Sequence, residues 1–199
     1  MGSRKVFVTA IAGLALGVAS LPLASTVFAA TNTKGLVPLS VQGVGPGAIA
    51  APVNTCTFGT TVFDCADSDT CECVTGTDTL IGNQGFAKGS LGFGLIFDES
   101  VGSLPASTFG NCYPGTGLGL LSNSKGNQTV SIYISGLACP TGTVGLDVFN
   151  GTYSVISGTG KYSASSGGTG AISGSVDTTS GLSQASVTGS LMTILPTLP

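Results

Sequence analysis

The densest run of chemically competent side chains in this 199-residue chain is Asp64-Cys-Ala-Asp-Ser-Asp-Thr-Cys-Glu72, four carboxylates within nine residues. Hard oxygen donors at that density can hold calcium, which makes Asp64, Asp67, Asp69 and Glu72 candidate ligands. The spacing fits no EF-hand loop, which alternates acids around a central glycine and ends on a distal glutamate. The other reading is a solvated loop braced by disulfides. Asp98 and Glu99 are adjacent, so on a strand they face opposite sides and cannot flank one substrate atom as an acid/base pair. As strand-end solubilisers they need no further role. Asp147 lies between Leu146 and Val148. If those two face a core, Asp147 faces the other side of its sheet. Should that side be the inside of a barrel, a buried carboxylate beside Tyr153 is the best-placed candidate for binding or catalysis.

What is missing bounds the chemistry more tightly. The chain has no His and no Trp, and its one arginine is Arg4. That excludes His-dependent triads, His metal sites and arginine clamps on phosphate or carboxylate substrates. No catalytic residue is assigned and no cofactor is implied; an enzyme here would work with Asp, Glu, Tyr, Lys, Ser or Cys. The formal net charge is −3. Without Arg4 and Lys5, four lysines face nine acids, a net of −5. Nucleic acid is excluded as a partner, because backbone phosphates demand clustered positive charge.

Residues 1–29 read as a secretory signal peptide: a basic start at Arg4 and Lys5, an apolar run from Val6 to Leu23, and small residues around Val27-Phe28-Ala29. A spanning helix would want about 20 apolar residues without Pro22 inside them. The expected location is therefore secreted, extracellular or periplasmic, with no membrane span once the signal is removed. Six cysteines beyond an export signal, Cys56, Cys65, Cys71, Cys73, Cys112 and Cys139, read as disulfide partners in an oxidising compartment. Six allow fifteen pairings. Cys71 and Cys73 share a strand face, so each should reach a different partner. Cys112 with Cys139 is the preferred long-range pair, since both border glycine- and proline-containing turns around a strand at 129–135. A thiolate metal cluster would want Cys-x-x-Cys pairs, which are absent.

The elements that must position these groups are β-strands, for no window sustains a 3.6-residue period. Residues 30–53 carry Pro38, Pro46 and Pro52 and read as an extended arm or linker, able to self-associate by adding a strand to a neighbour. The domain proper is expected over 54–199. Leu91, Phe93, Leu95 and Phe97 alternate with Gly92, Gly94, Ile96 and Asp98, giving one bulky face and one nearly bare face that another backbone or a ligand can approach. Val130, Ile132 and Ile134, then Val144, Leu146 and Val148, read as the apolar faces of half-buried strands. Strand windows fall at 71–80, 91–97, 117–121, 129–135, 143–149, 152–157, 161–165, 171–176 and 185–194. Eight or nine strands at this spacing predict an all-β fold, an antiparallel closed barrel of about eight strands braced by disulfides. Closure also removes the edges that so apolar a chain would expose.

From Phe149 to Val176 a hydrophobic strand runs into Gly158-Thr-Gly160, an aromatic, small residues and the cluster Gly167-Gly-Thr-Gly170. This segment resembles the C-terminal strands of allene oxide cyclase-like and dirigent-like β-barrels. The resemblance covers roughly 148–176 and loosens back to Leu91; the cysteine-rich part at 54–75 has no counterpart. It implies the scaffold. Gly158 and Gly160 serve the turn, where glycine supplies positive φ without a Cβ penalty. Dirigent-like pockets handle a phenolic intermediate with acidic residues and arginine, and the missing arginine separates this chain from that mechanism. Cyclase relatives use a carboxylate, polar groups and aromatics in an apolar cavity, and no position here is matched to them. Asn127-Gln-Thr129 and Asn150-Gly-Thr152 fit the glycosylation sequon.

The function these features predict is a secreted, non-enzymatic β-barrel that binds an apolar small molecule or a surface partner. The alternatives are a structural matrix, coat or filament subunit, and a cyclase- or isomerase-like enzyme. The last needs an ionisable group inside the barrel.

Overall fold

Alternation along each strand sorts the side chains into two sets, and the strands close on one another so that one set faces inward. The computed structural model describes residues 33–65, 71–99, 109–163 and 166–195. The signal peptide, Asp67 and Asp69 lie outside these residues. Eight strands form a closed antiparallel barrel in the order β1 (Lys34–Ala50), β10 (Leu182–Ile194), β9 (Thr169–Asp177), β8 (Leu146–Gly158), β7 (Thr129–Pro140), β6 (Tyr113–Ser122), β5 (Ser90–Asp98) and β4 (Cys71–Gly82). A separate hairpin pairs β2 (Thr55–Phe58) with β3 (Thr61–Asp64). No described helix is long and apolar enough to cross a membrane.

The first correction concerns the arm expected at 30–53. Its backbone is extended, but residues 34–50 are barrel strand β1, paired with β10 from Lys34↔Ile194 to Pro46↔Leu182 and with β4 from Val41↔Gly82 to Ala50↔Cys73. The prolines do not break it because they sit where a donor is dispensable. Pro38 precedes the first β4 partner, and the β1–β4 ladder skips Gly45 and Pro46.

The second correction is on β8. Windows 143–149 and 152–157 are one continuous strand, and its inward face is Asp147, Phe149, Gly151, Tyr153 and Val155. Val144, expected in a core, is 92% exposed in the turn before the strand. Two rings and a valine in the opposite phase outweigh the aliphatic triplet, since the large side chains bury more apolar area. The strand expected at 161–165 is instead a 3-10 turn, Gly160–Tyr162, entered through Gly160 at φ +61°. It drops Tyr162 into the barrel, where its ring stacks on Phe86 at 5.2 Å and its hydroxyl donates to the Gln84 carbonyl. Both rings are fully buried and plug this end.

On β5, Leu91, Phe93, Leu95 and Phe97 face inward as expected. The bare outer face, expected to meet another backbone or a ligand, is covered instead by a side chain of the β2–β3 hairpin, Phe58, packed against Gly92 and Gly94. Cys56, Cys71 and Ile96 make a small second core beneath the hairpin. Cys56–Cys73 and Cys65–Cys71 tie the hairpin to β4, so neighbouring Cys71 and Cys73 do take different partners. Cys112–Cys139 joins the approach to β6 with the end of β7, the pairing expected.

A Cβ on Gly94 would lie 2.7 Å from the Phe58 Cβ, and one on Gly92 would lie 3.3 Å from the ring edge. Gly94→Ala should therefore lower stability in urea denaturation by about 1–3 kcal/mol through overpacking. Gly92→Ala should stay within about 0.5 kcal/mol of wild type, since the entropy removed from the unfolded chain offsets its smaller strain. Equal losses in the two variants would show that the hairpin does not rest on this face.

Candidate functional site

An antiparallel barrel has two rims, and this one fills them differently. One is closed by Phe86 and Tyr162. The other holds a cavity of about 60 Å³ that is open to solvent. That volume is several times the ~10–15 Å³ that one water needs. Its walls are mainly apolar, with Phe93, Phe97, Ile134, Phe149, Ile172 and Val176 prominent. A larger depression of about 710 Å³ lies on the outer wall among Gln42, Val44, Ile81, Asn150, Ser175 and Gln184. It is open and shallow and has no charged group in its lining.

Local sequence explains why the inner cavity has this shape. Phe97 on β5 and Phe149 on β8 meet edge to face at 5.8 Å, although β6 and β7 separate their strands. The inward positions on those two strands are Gly115 and Gly136, which are register partners. A Cβ on Gly115 would collide with the Phe97 ring, and one on Gly136 would lie 2.6 Å from the Phe149 ring. The glycine pair thus clears the wall over which the two rings meet.

Two ionisable residues line the cavity, Glu72 and Asp147. Glu72 is the cross-strand partner of Phe97, and Asp147 is two residues before Phe149 on the same inward face. Each carboxylate therefore stands next to one ring of the aromatic pair. Burial pushes the Glu72 carboxyl up to about 7, helped by the charge of Glu99, a hydrogen bond with it, and the charge of Asp147. Burial also raises Asp147.

The residues singled out from sequence are distributed as follows. Asp147 does face the barrel interior, but it does not meet Tyr153. The two are six residues apart on one strand, roughly 20 Å. Tyr153 is buried and donates to the Ser190 carbonyl at 3.1 Å. Burial raises its hydroxyl, and that bond partly offsets the rise. Asp98 ends β5, and Glu99 just beyond it bears on Glu72 at the start of the neighbouring strand. Of the calcium candidates, Glu72 turns into the cavity mouth and Asp64 ends the outer hairpin. Among the described residues no three His, Cys, Asp or Glu side chains are grouped to hold a metal ion.

A buried polar pair escapes the sequence reading altogether. Asp78 on β4 is fully buried, accepts from the Ser183 hydroxyl on β10, and leaves its second oxygen without a partner. Burial raises its pKa, and the Ser183 bond partly counters this. Strand β1 lies between the two residues. They meet across it because its inward positions there are Gly43, Gly45 and Gly47: a Cβ on Gly43 would sit 2.7 Å from that of Asp78, and one on Gly47 would sit 2.9 Å from that of Ser183. That glycine run at two-residue spacing was the available signal, hidden by the reading of this segment as an arm.

Comparison with family models, with curated proteins and with solved structures finds no match for the chain.

Because Glu72 titrates near 7 when folded and near 4.5 when unfolded, the folded chain holds a proton across that window which the unfolded chain has lost. Stability should fall as pH rises from about 4.5 to 7 and level off above it. Glu72→Gln should flatten this slope and be more stable than wild type at pH 8 by roughly 1–2 kcal/mol, allowing for solvent screening at a half-exposed site. Thermal unfolding of both proteins at pH 4, 6 and 8 checks this. Parallel pH profiles would reject the raised pKa of Glu72.

Proposed function

We propose that this chain is an exported β-barrel that holds an apolar small molecule at its open rim without transforming it. The observation that carries the reading is the cavity itself, an apolar pocket walled by aromatic and branched aliphatic side chains and open to solvent. Three disulfides fit an oxidising compartment, and the apolar start of the chain supports export. The resemblance of the segment from Phe149 to Val176 to allene oxide cyclase-like and dirigent-like barrels supports a scaffold of this kind and carries no reaction with it.

One observation favours a second reading, a cyclase- or isomerase-like enzyme. Glu72, with its pKa near 7 beside an apolar cavity, has the property required of a general acid or base at neutral pH. The third reading, a matrix, coat or filament subunit, no longer has a free arm to add a strand to a neighbour, because residues 34–50 are already strand β1; its remaining support is the composition, low in charge with several disulfides.

The binding reading is tested with N-phenyl-1-naphthylamine, a neutral dye that brightens in apolar surroundings. Wild type should bind it saturably. Ala138→Phe, which projects a ring into the cavity from the end of β7, should weaken binding at least about tenfold, a loss of about 1.4 kcal/mol, with the circular dichroism spectrum unchanged. Undiminished binding by this variant, or none by wild type, defeats the proposal.

A further inference from the structure

The charges of this barrel are sorted by end. Lys34 opens β1, Lys88 lies in the β4–β5 turn, Lys125 in the β6–β7 turn and Lys161 in the 3-10 turn, all at the rim plugged by Phe86 and Tyr162. The open rim carries Glu72 at the start of β4, Asp98 and Glu99 at the end of β5, Asp147 at the start of β8 and Asp177 at the end of β9. Among the described residues no cation stands at that rim.

Resting on the reading of the cavity as a ligand site, we propose that its ligand is an apolar molecule with a cationic head, an amine or quaternary ammonium seated between Glu72 and Asp147 against the rings of Phe97 and Phe149. Three observations lead there. The ionisable groups lining the cavity are both carboxylates, and the nearest group from the adjoining strand, Glu99, is a third. An anionic head would add a further negative charge in a half-desolvated mouth, whereas a cationic head offsets the charge already there. Phe97 and Phe149 line the same cavity as the two carboxylates, and aromatic walls with nearby anions suit large, weakly hydrated cations. No three of the described acids are grouped for a small hard ion, which separates an organic cation from calcium.

A bound ammonium would offset the negative charge of Glu99 and Asp147 that, together with burial, holds Glu72 toward its neutral form. The charged groups facing Glu72 from the elements around it are Glu99 beyond β5 and Asp147 on β8, both acidic.

Decyltrimethylammonium, decanol and decanoate share a ten-carbon chain and differ in head charge, so competition with bound N-phenyl-1-naphthylamine on the signal-free protein isolates the head. At pH 7.5 and low salt the cation should bind about tenfold tighter than decanol and decanoate about tenfold weaker, each factor corresponding to about 1.4 kcal/mol. The preference for the cation should shrink in 0.5 M salt, as a charge-based preference must. Glu72→Gln combined with Asp147→Asn should bring the cation to within about twofold of decanol. Asp147→Asn alone, which leaves the Glu72–Glu99 pair in place, should lose part of the preference and provides the reading if the double variant does not fold. Decanol or decanoate binding as tightly as the cation would overturn the cationic head while leaving the cavity reading intact. Failure of all three chains, and of the dye, to bind would overturn the cavity reading itself.

Discussion

The volume inside an eight-stranded barrel is the constraint on which the rest of this structure depends. A lumen of that width is just filled by side chains, so each inward position must suit the space its neighbours leave. This chain fills the lumen unevenly. Strands β5 and β8 send in rings, while β1 and β6 send in runs of glycine, Gly43, Gly45 and Gly47 on one and Gly115, Gly117 and Gly119 on the other. Large groups therefore reach across strands that would otherwise keep them apart. Phe97 meets Phe149 over one glycine pair, and Asp78 meets Ser183 over another glycine run.

That exchange of bulk also decides where the chemistry can be. At one rim Phe86 and Tyr162 come in from the turns and finish the core, leaving nothing for a ligand to enter. At the other rim the described residues leave the cavity open. Strand-end acids gather there, and burial beside the cavity, with the charges of Glu99 and Asp147, raises the pKa of Glu72. The cavity and the perturbed carboxylate thus lie at the same end of the barrel.

How much of this could be read in advance depended on the range of the interaction. The faces of β5 and β7 were legible because alternation is local: Phe93 and Ile132 show their side within four residues. The Cys112–Cys139 bridge was legible from the turns around one strand. The phase of β8 was not, because Val144, Leu146 and Val148 make a convincing local pattern, and only closure against β7 and β9 shows that Phe149 and Tyr153 win the interior. Strand β1 was misread as an arm because Pro38 and Pro46 look disqualifying until the ladder is known to need no donor at either place. The Glu72–Glu99 contact was out of reach, since it joins two strand ends 27 positions apart in the sequence and depends on the register of β4 against β5.

Uneven filling leaves the open rim short of packing, and the covalent bonds are placed where that shortage falls. Cys71 and Cys73 begin β4, Cys139 is near the end of β7 and Cys112 precedes β6, so all three disulfides hold the rim that the cavity hollows out. The plugged rim has none and is held by stacked rings and aliphatic contacts. A disulfide restricts the unfolded chain without occupying lumen volume, so it can stabilise a wall whose inner side must stay empty. Two of the three also clamp the β2–β3 hairpin onto the outer face of β5, where Phe58 covers Gly92 and Gly94. That places a second layer of protein behind the strand that supplies Phe93 and Phe97, so the aromatic wall of the cavity is supported from outside, where apolar contacts can be made without closing the site.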